Sequence, residues 1–117
     1  MAQYVRVSLR DPRYLELSDG TPYIPNGLNV IHPWGDVSTA EGLAQMDRWL
    51  KALADNQGNY IRIWLSSIFW DLEHQEAGVF DEERAKRVDA LLNMAVFSRS
   101  IVIRFDTTGV EAKPVTR

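Results

Sequence analysis

The chain contains no cysteine, which excludes disulfide bonds and thiolate metal sites and leaves the redox compartment open. Long apolar runs are also lacking. Residues 1–7 have neither the apolar segment of a signal peptide nor that of a membrane span. We therefore expect a cytosolic protein, or one from which a leader has been removed.

The chain also lacks a basic tract, since 13 Lys and Arg stand against 16 Asp and Glu, for a net charge of −3. Nucleic acid and anionic membranes are therefore not expected as partners. A Gly-rich phosphate loop and a G-x-S-x-G elbow are missing too. Asp71, Glu73, His74 and Glu76 form a loose acidic group, but their spacing fits neither a calcium loop nor a zinc-binding helix, so no metal site is predicted.

What the chain does contain is an alternation of strand and helix patterns. Strands are predicted over 24–30, 59–66 and 101–105, and helices begin at Ser38 and at Asp81. This order is typical of a parallel sheet covered by helices. Asp19-Gly20, inside the alternating segment 14–25, predicts a β-hairpin before that sheet. We expect one domain over 14–108, with an N-terminal extension at 1–13 and a frayed tail at 109–117.

Both helices have local start signals and an apolar face. Ser38 and Glu41 match a capping box, and Gln57-Gly58 is expected to end the first helix. Its predicted buried residues are Leu43, Met46, Leu50 and Leu53. Those of the second helix are Ala85, Val88, Leu91, Leu92 and Ala95.

Tryptophan and one arginine suggest where a ligand would bind. Three of the four tryptophans lie in or beside loops, at the C-terminal ends of predicted strands: Trp34, Trp64 and Trp70. Core packing explains any single one, whereas a cluster at strand ends favours a ligand surface. Arg62 interrupts an otherwise apolar strand, and a charge there is either paired with a carboxylate or functional.

Three segments together carry a resemblance to a known family. They are Asp19-Gly-Thr-Pro-Tyr-Ile-Pro-Asn-Gly-Leu-Asn29, Asn59-Tyr-Ile-Arg-Ile-Trp64 and Asp81-Glu-Glu-Arg-Ala-Lys-Arg-Val-Asp-Ala-Leu-Leu92. Their order and spacing resemble the opening third of a retaining glycoside hydrolase of the cellulase and mannanase group, family 5 or a close relative, over residues 14–95. The resemblance implies an α/β fold, a partial TIM-type (β/α) barrel of about three βα units after the hairpin.

The resemblance also implies a ligand class and a binding site. Such enzymes cleave β-1,4-linked polysaccharides such as β-mannan or β-glucan, use no cofactor, and are often secreted. Arg62 matches the arginine that holds the nucleophile ionised. Asn29 matches a position facing the sugar cleft, and His32 is either a donor to a sugar hydroxyl or a surface residue. The implied aromatic wall consists of Trp34, Trp64, Phe69 and Trp70.

The family's catalytic carboxylates have no counterpart in this chain. The acid/base glutamate follows strand four and the nucleophile follows strand seven, whereas this chain ends shortly after strand three. A complete barrel needs at least about 200 residues. We therefore expect the chain alone to be inactive. Asp71, Glu73 and Asp106 are the remaining carboxylates that could face one cleft, unless they are simply solvated loop charges.

Three functions stay open on the sequence. The chain is a truncated or fragmentary hydrolase that binds polysaccharide or oligosaccharide, a carbohydrate-binding domain without chemistry, or a structural and oligomerising domain. Open sheet edges and exposed apolar faces predict a homo-oligomer in each case. The preferred sugar is also left open. So is the origin of the chain, which is a natural truncation, a frame-shifted product or an engineered fragment.

Overall fold

The computed structural model describes residues 3–98 and 101–106, with the backbone alone for Asp106. Its elements in chain order are β1 (Val5–Val7), β2 (Leu15–Leu17), β3 (Pro22–Tyr23), β4 (Gly27–Asn29), α1 (Thr39–Asp55), β5 (Tyr60–Trp64), α2 (Glu82–Phe97) and β6 (Val102–Asp106). The strands form two separate sheets, one with the order β1-β2-β3 and the other β4-β5-β6. Neither helix in the described ranges has the length and apolar character that a membrane crossing requires.

The first sheet is antiparallel and has three strands. The pairing predicted around Asp19-Gly20 is confirmed, since Leu15 lies opposite Tyr23, and Gly20 takes the positive φ of 88° that this turn requires. The third strand, β1, pairs with β2 and comes from residues that the sequence assigned to an extension. The hairpin is therefore part of a sheet of its own.

A buried carboxylate holds this first sheet together. The side chain of Glu16 in β2 is only 2% exposed, and it accepts hydrogen bonds from Arg6 Nε at 3.0 Å and Ser8 Oγ at 3.0 Å. Arg10 lies 3.6 Å from its second oxygen. Burial raises the pKa of Glu16, but the hydrogen bonds from Ser8, the Leu9 amide and Arg6, with the Arg6 charge, outweigh it and lower the pKa below its usual value.

The second sheet is parallel, and its strands are joined by α1 and α2. The predicted capping box is confirmed: the Ser38 hydroxyl accepts from the Glu41 amide, and the Glu41 carboxylate accepts from the Ser38 amide at 3.0 Å. The helix ends through Gln57, which takes a left-handed φ of 64°, rather than through Gly58. The predicted alternation of β5 is also confirmed, because Ile61 and Ile63 are buried while Tyr60, Arg62 and Trp64 are partly exposed.

The prediction of a partial TIM-type barrel is wrong. The chain forms a mixed α/β fold in which a three-stranded antiparallel sheet stands beside an open three-stranded parallel sheet. Segment 24–30, predicted as one continuous strand, gives the parallel sheet only the three residues of β4, all of them exposed. A barrel strand is covered on both faces, whereas β4 is an exposed edge. Pro22 of β3 pairs with Glu16 of β2, and the chain passes to the second sheet between Tyr23 and Gly27, where Pro25 has no N–H to donate to a ladder.

The core lies between the parallel sheet and the two helices. α1 contributes Met46, Leu50 and Ala54, and α2 contributes Leu91 and Ala95. The predicted faces are therefore confirmed in part, because Leu43 and Leu53 are only partly buried and Leu92 is exposed. The remaining core residues are Ile61, Ile63, Phe69, Trp70 and Ile101.

Phe69 joins the two helices to the loop after β5. Its ring lies against Gly42 of α1, where any Cβ would collide with it. On the other side, the guanidinium of Arg87 lies 4.5 Å from the ring centroid and donates to the Phe69 carbonyl at 3.1 Å. Arg87 also donates to the Thr39 hydroxyl at 2.8 Å, which ties α2 to the start of α1.

We expect Glu16→Gln to flatten the pH dependence of stability. The folded pKa of Glu16 is lowered, so its contribution is present above the unfolded value of 4.5 and is lost as the pH falls through the folded pKa. The variant should have a smaller free energy of unfolding than the wild type at neutral pH. That free energy should also fall less on acidification. Denaturant unfolding between about pH 7 and pH 3 measures this, with the exposed Glu76→Gln as the matched control. Parallel curves for wild type and Glu16→Gln would contradict the role of the buried carboxylate.

We expect Gly42→Ala to destabilise the protein, against the usual trend for a helix interior. Alanine ordinarily gains about 0.5–1 kcal/mol there. Here its Cβ would collide with the Phe69 ring, and overpacking of this kind costs about 1–3 kcal/mol. Urea unfolding measures the net effect. The same substitution in a Phe69→Leu background is the control, where the loss should shrink or reverse. A more stable Gly42→Ala in the wild-type background would contradict the packing.

Candidate functional site

A cleft of about 890 Å³ lies between the exposed strand β4 and one face of α1. Its walls are largely apolar, with Leu28 on one side and Trp49 and Leu53 on the other. Asn29, His32 and Asn56 supply polar groups. Within the described part of the chain, no Asp, Glu, Lys or Arg lines the cleft. The cleft therefore suits an uncharged ligand that has both apolar faces and hydrogen-bonding groups.

Trp34 lies at the rim of this cleft and is 77% exposed. Its backbone is fixed although its ring is open to solvent. The Trp34 N–H donates to Gln45 Oε1 at 3.1 Å, and Gln45 Nε2 donates to the Trp34 carbonyl at 3.3 Å. Pro33 before it is buried, and Gly35 after it takes a φ of 82°. An exposed aromatic ring on a fixed backbone is the form expected of a stacking platform.

The base of the same loop is held by the Ile31 carbonyl. It accepts from the Trp64 amide at 3.3 Å and from the indole nitrogen of Trp70 at 3.2 Å. The loop after β4 is thereby attached to β5 and to the loop that follows β5. The position of Trp34 therefore depends on residues that do not themselves reach the cleft.

His32 also lines the cleft, with its ring tied to its own loop. Its Nδ1 lies 2.6 Å from the Pro33 carbonyl, and because a carbonyl only accepts, this nitrogen carries the hydrogen. In the neutral ring Nε2 is then an acceptor. The predicted donation from His32 to a sugar hydroxyl stays a prediction.

Asn29 and Arg62 lie side by side in the parallel sheet. Asn29 of β4 is opposite Arg62 of β5, which is opposite Arg104 of β6. The Arg62 guanidinium lies 5.8 Å from the centroid of the Trp64 ring, near the outer limit for a cation–π contact. The structure therefore brings Asn29, Arg62 and Trp64 to one region of the sheet, but only Asn29 of these three lines the cleft.

Two residues of the predicted aromatic wall do not fit that role. Phe69 is 5% exposed and Trp70 is 0% exposed, so neither ring has a face open to a sugar. The reason is a tight turn after β5, in which the Ser67 amide bonds the Trp64 carbonyl and the Trp70 amide bonds the Ser67 carbonyl. Trp64 is partly buried, and its indole N–H has no partner among the described residues. The exposed platform is thus reduced to Trp34.

The sequence interpretation missed the wall that α1 supplies. Trp49 lies within α1 and lines the cleft with Leu53, and Gln45 holds the loop opposite. Gln45, Trp49 and Leu53 recur at intervals of four residues, so they share one helix face. This spacing was visible in the sequence, but nothing local showed that the face would remain uncovered.

The acidic candidates are engaged in loop structure. Asp71 Oδ1 accepts from the Glu73 amide at 3.1 Å, and Glu73 Oε2 accepts from the Gly78 amide at 2.8 Å. The side chain of Asp106 lies outside the described residues. Among the described side chains, no Asp or Glu lines the cleft. Among the described side chains, no three His, Asp or Glu come together as a metal site.

The same loop is closed onto the start of α2. His74 Nε2 lies 2.7 Å from Asp81 Oδ2, and the Arg84 amide donates to Asp81 Oδ1 at 3.1 Å. The Arg84 amide and the His74 ring hold the pKa of the Asp81 carboxyl below its usual value. Asp81 thus acts as helix cap and loop anchor together, and these charges stay away from the cleft.

No protein-family model matches the chain, and no curated protein is significantly similar to it. The resemblance to glycoside hydrolases therefore stays a prediction. The function has to be argued from the residues of the cleft and from what they can bind.

Proposed function

We propose that this protein binds neutral β-linked oligosaccharides, of the glucan or mannan type, in the cleft between β4 and α1 without cleaving them. The observation that carries the proposal is the solvent-exposed ring of Trp34 on a backbone fixed at the cleft rim. The segments that resemble a glycoside hydrolase support the same class of ligand.

The chemistry of a pyranose ring matches the cleft. Its axial C–H face packs on aromatic rings, and its equatorial hydroxyls need hydrogen-bonding partners. Trp34 and Trp49 offer aromatic surface, while Asn29, His32 and Asn56 offer amide and imidazole groups. Because no charged side chain of the described residues lines the cleft, anionic ligands have no partner there.

Binding is favoured over hydrolysis by the positions of the carboxylates. Glycoside hydrolysis needs two carboxyl groups separated by about 5–5.5 Å for retention or 6.5–9.5 Å for inversion. The described residues place no carboxylate in the cleft, and the carboxylates of Asp71 and Glu73 accept bonds from loop amides instead. Among the described residues, the site has groups for recognition and lacks the pair of carboxyl groups that glycoside hydrolysis needs.

Self-association is the second candidate function, favoured by the open edge of the parallel sheet. Among the described residues β4 pairs on one side only, with β5. Leu28 of this strand is 59% exposed, and Ile24 just before it is exposed as well. An unpaired edge with apolar side chains is a template for a second copy of the chain.

We expect Trp34→Ala to weaken oligosaccharide binding at least about tenfold, because the stacking surface is lost. Calorimetric titration with cellohexaose and mannohexaose measures the Kd, and thermal unfolding should give an unchanged Tm, since the ring is exposed. Phe97→Ala is the matched control, because it removes an aromatic side chain that is 90% exposed at the end of α2, away from the cleft. No binding by the wild type, or equal Kd values for wild type and Trp34→Ala, would defeat the proposal.

We expect Leu28→Lys to shift an oligomer toward monomer, because a lysine on an edge strand opposes edge-to-edge pairing. Light scattering across a concentration series measures the mass. Phe97→Lys is the control, since it adds the same charge at an exposed apolar position outside the sheet. A wild-type chain that stays monomeric and unfolds cooperatively rules out this second function.

A further inference from the structure

We infer that Gln45 is a positioning residue that sets the stacking orientation of Trp34, an inference that rests on the proposed oligosaccharide binding. Gln45 does not line the cleft. It acts from α1 through the backbone of Trp34.

The pair of hydrogen bonds between these residues requires a side chain that offers both an acceptor and a donor. Gln45 Oε1 accepts from the Trp34 N–H at 3.1 Å while Gln45 Nε2 donates to the Trp34 carbonyl at 3.3 Å. One end of the side chain thus presents an acceptor and a donor to the same residue, as a neighbouring strand would. Ionised glutamate lacks the donor, and methionine of similar length lacks both groups.

The two hydrogen bonds from Gln45 to the Trp34 backbone are called the clamp below. The clamp matters because packing restrains the ring of Trp34 only slightly. With 77% of the residue exposed, its position is decided mainly by the backbone that carries it. Pro33 fixes the chain on one side, and the left-handed Gly35 lets it turn away on the other. Gln45 fixes the residue between them. A platform held in its bound orientation loses less entropy when a sugar stacks on it.

The same two hydrogen bonds also connect the two walls of the cleft. Gln45 lies one helical turn before Trp49, which forms the opposite wall. Through this residue, α1 both supplies one aromatic surface and holds the loop that carries the other. The Gln45 amide therefore links the two aromatic surfaces directly, beside the hydrogen bonds that hold the loop at the Ile31 carbonyl.

The test compares Gln45→Met with the matched control Gln75→Met, in which the replaced glutamine lies on an exposed loop away from the cleft. Three quantities are measured: hydrogen exchange of the Trp34 amide, the Kd for cellohexaose and mannohexaose, and the Tm. In Gln45→Met we expect Trp34 amide exchange about tenfold faster and a Kd about five- to tenfold higher, with Tm close to wild type. The control should match the wild type in all three.

Gln45→Glu supplies a second test, the pH dependence of sugar binding. A purely structural role of Gln45 would leave this pH dependence unchanged. It should weaken binding at neutral pH, because the carboxylate repels the Trp34 carbonyl. As the pH falls and the carboxyl becomes protonated, it regains a donor. The Kd of the variant should then approach the Kd of the wild type measured at that same low pH. The recovery is judged against wild type titrated in the same buffers.

The possible failures are distinguishable. Unchanged Trp34 exchange in Gln45→Met overturns the clamp, and faster exchange with an unchanged Kd overturns its role in binding. If the wild type binds neither sugar, the proposed function fails and the inference fails with it, while the exchange data still show whether the clamp exists. A Kd that rises only with a matching fall in Tm assigns Gln45 to stability and overturns the inference.

Discussion

The edge-to-face packing of Phe69 against Trp70 is the contact on which the candidate site depends. The ring centroids are 4.7 Å apart and the planes meet at 86°. Trp70 reaches from this pair to the carbonyl of Ile31, and Phe69 is held between Gly42 and Arg87. The pair therefore connects both helices with the loops after β4 and β5. Of these two residues expected to bind sugar, Trp70 instead bonds the base of the loop that carries Trp34, and Phe69 packs against Trp70.

No charged side chain of the described residues lines the cleft. Glu16 and its arginines lie in the antiparallel sheet, Glu83 and Arg87 bridge the helices, and His74, Asp81 and Arg84 close the loop before α2. Each group stabilises a local arrangement, and none lines the cleft. The cleft is left with tryptophan, amide and imidazole groups. This separation is what favours a neutral ligand over an ionic one.

Local signals in the sequence were reliable, and non-local ones were not. The capping box at Ser38 and the alternation in β5 involve neighbours in the chain, and both were predicted correctly. The burial of Trp70 was missed because it follows from contacts with Phe69 and Ile31, which no spacing rule reveals. The barrel prediction failed for a similar reason. Segment 24–30 has the propensity of a strand, but contacts with distant strands decide how much of it joins a sheet, and which one. Trp34 and Asn29 both line the cleft, as loops after parallel strands gather at one edge, whereas their predicted contact with sugar stays a prediction.

The short strand β4 makes the two proposed functions compete. Leu28 and Asn29 line the cleft, and the same strand is the open edge that a second copy would pair with. A partner strand along β4 would cover one wall of the cleft, so a bound sugar and a paired copy exclude each other at this edge. A ligand that binds only the uncovered form stabilises that form by RT ln(1 + [L]/Kd). Oligosaccharide would then oppose self-association, and the affinity measured for sugar would depend on protein concentration.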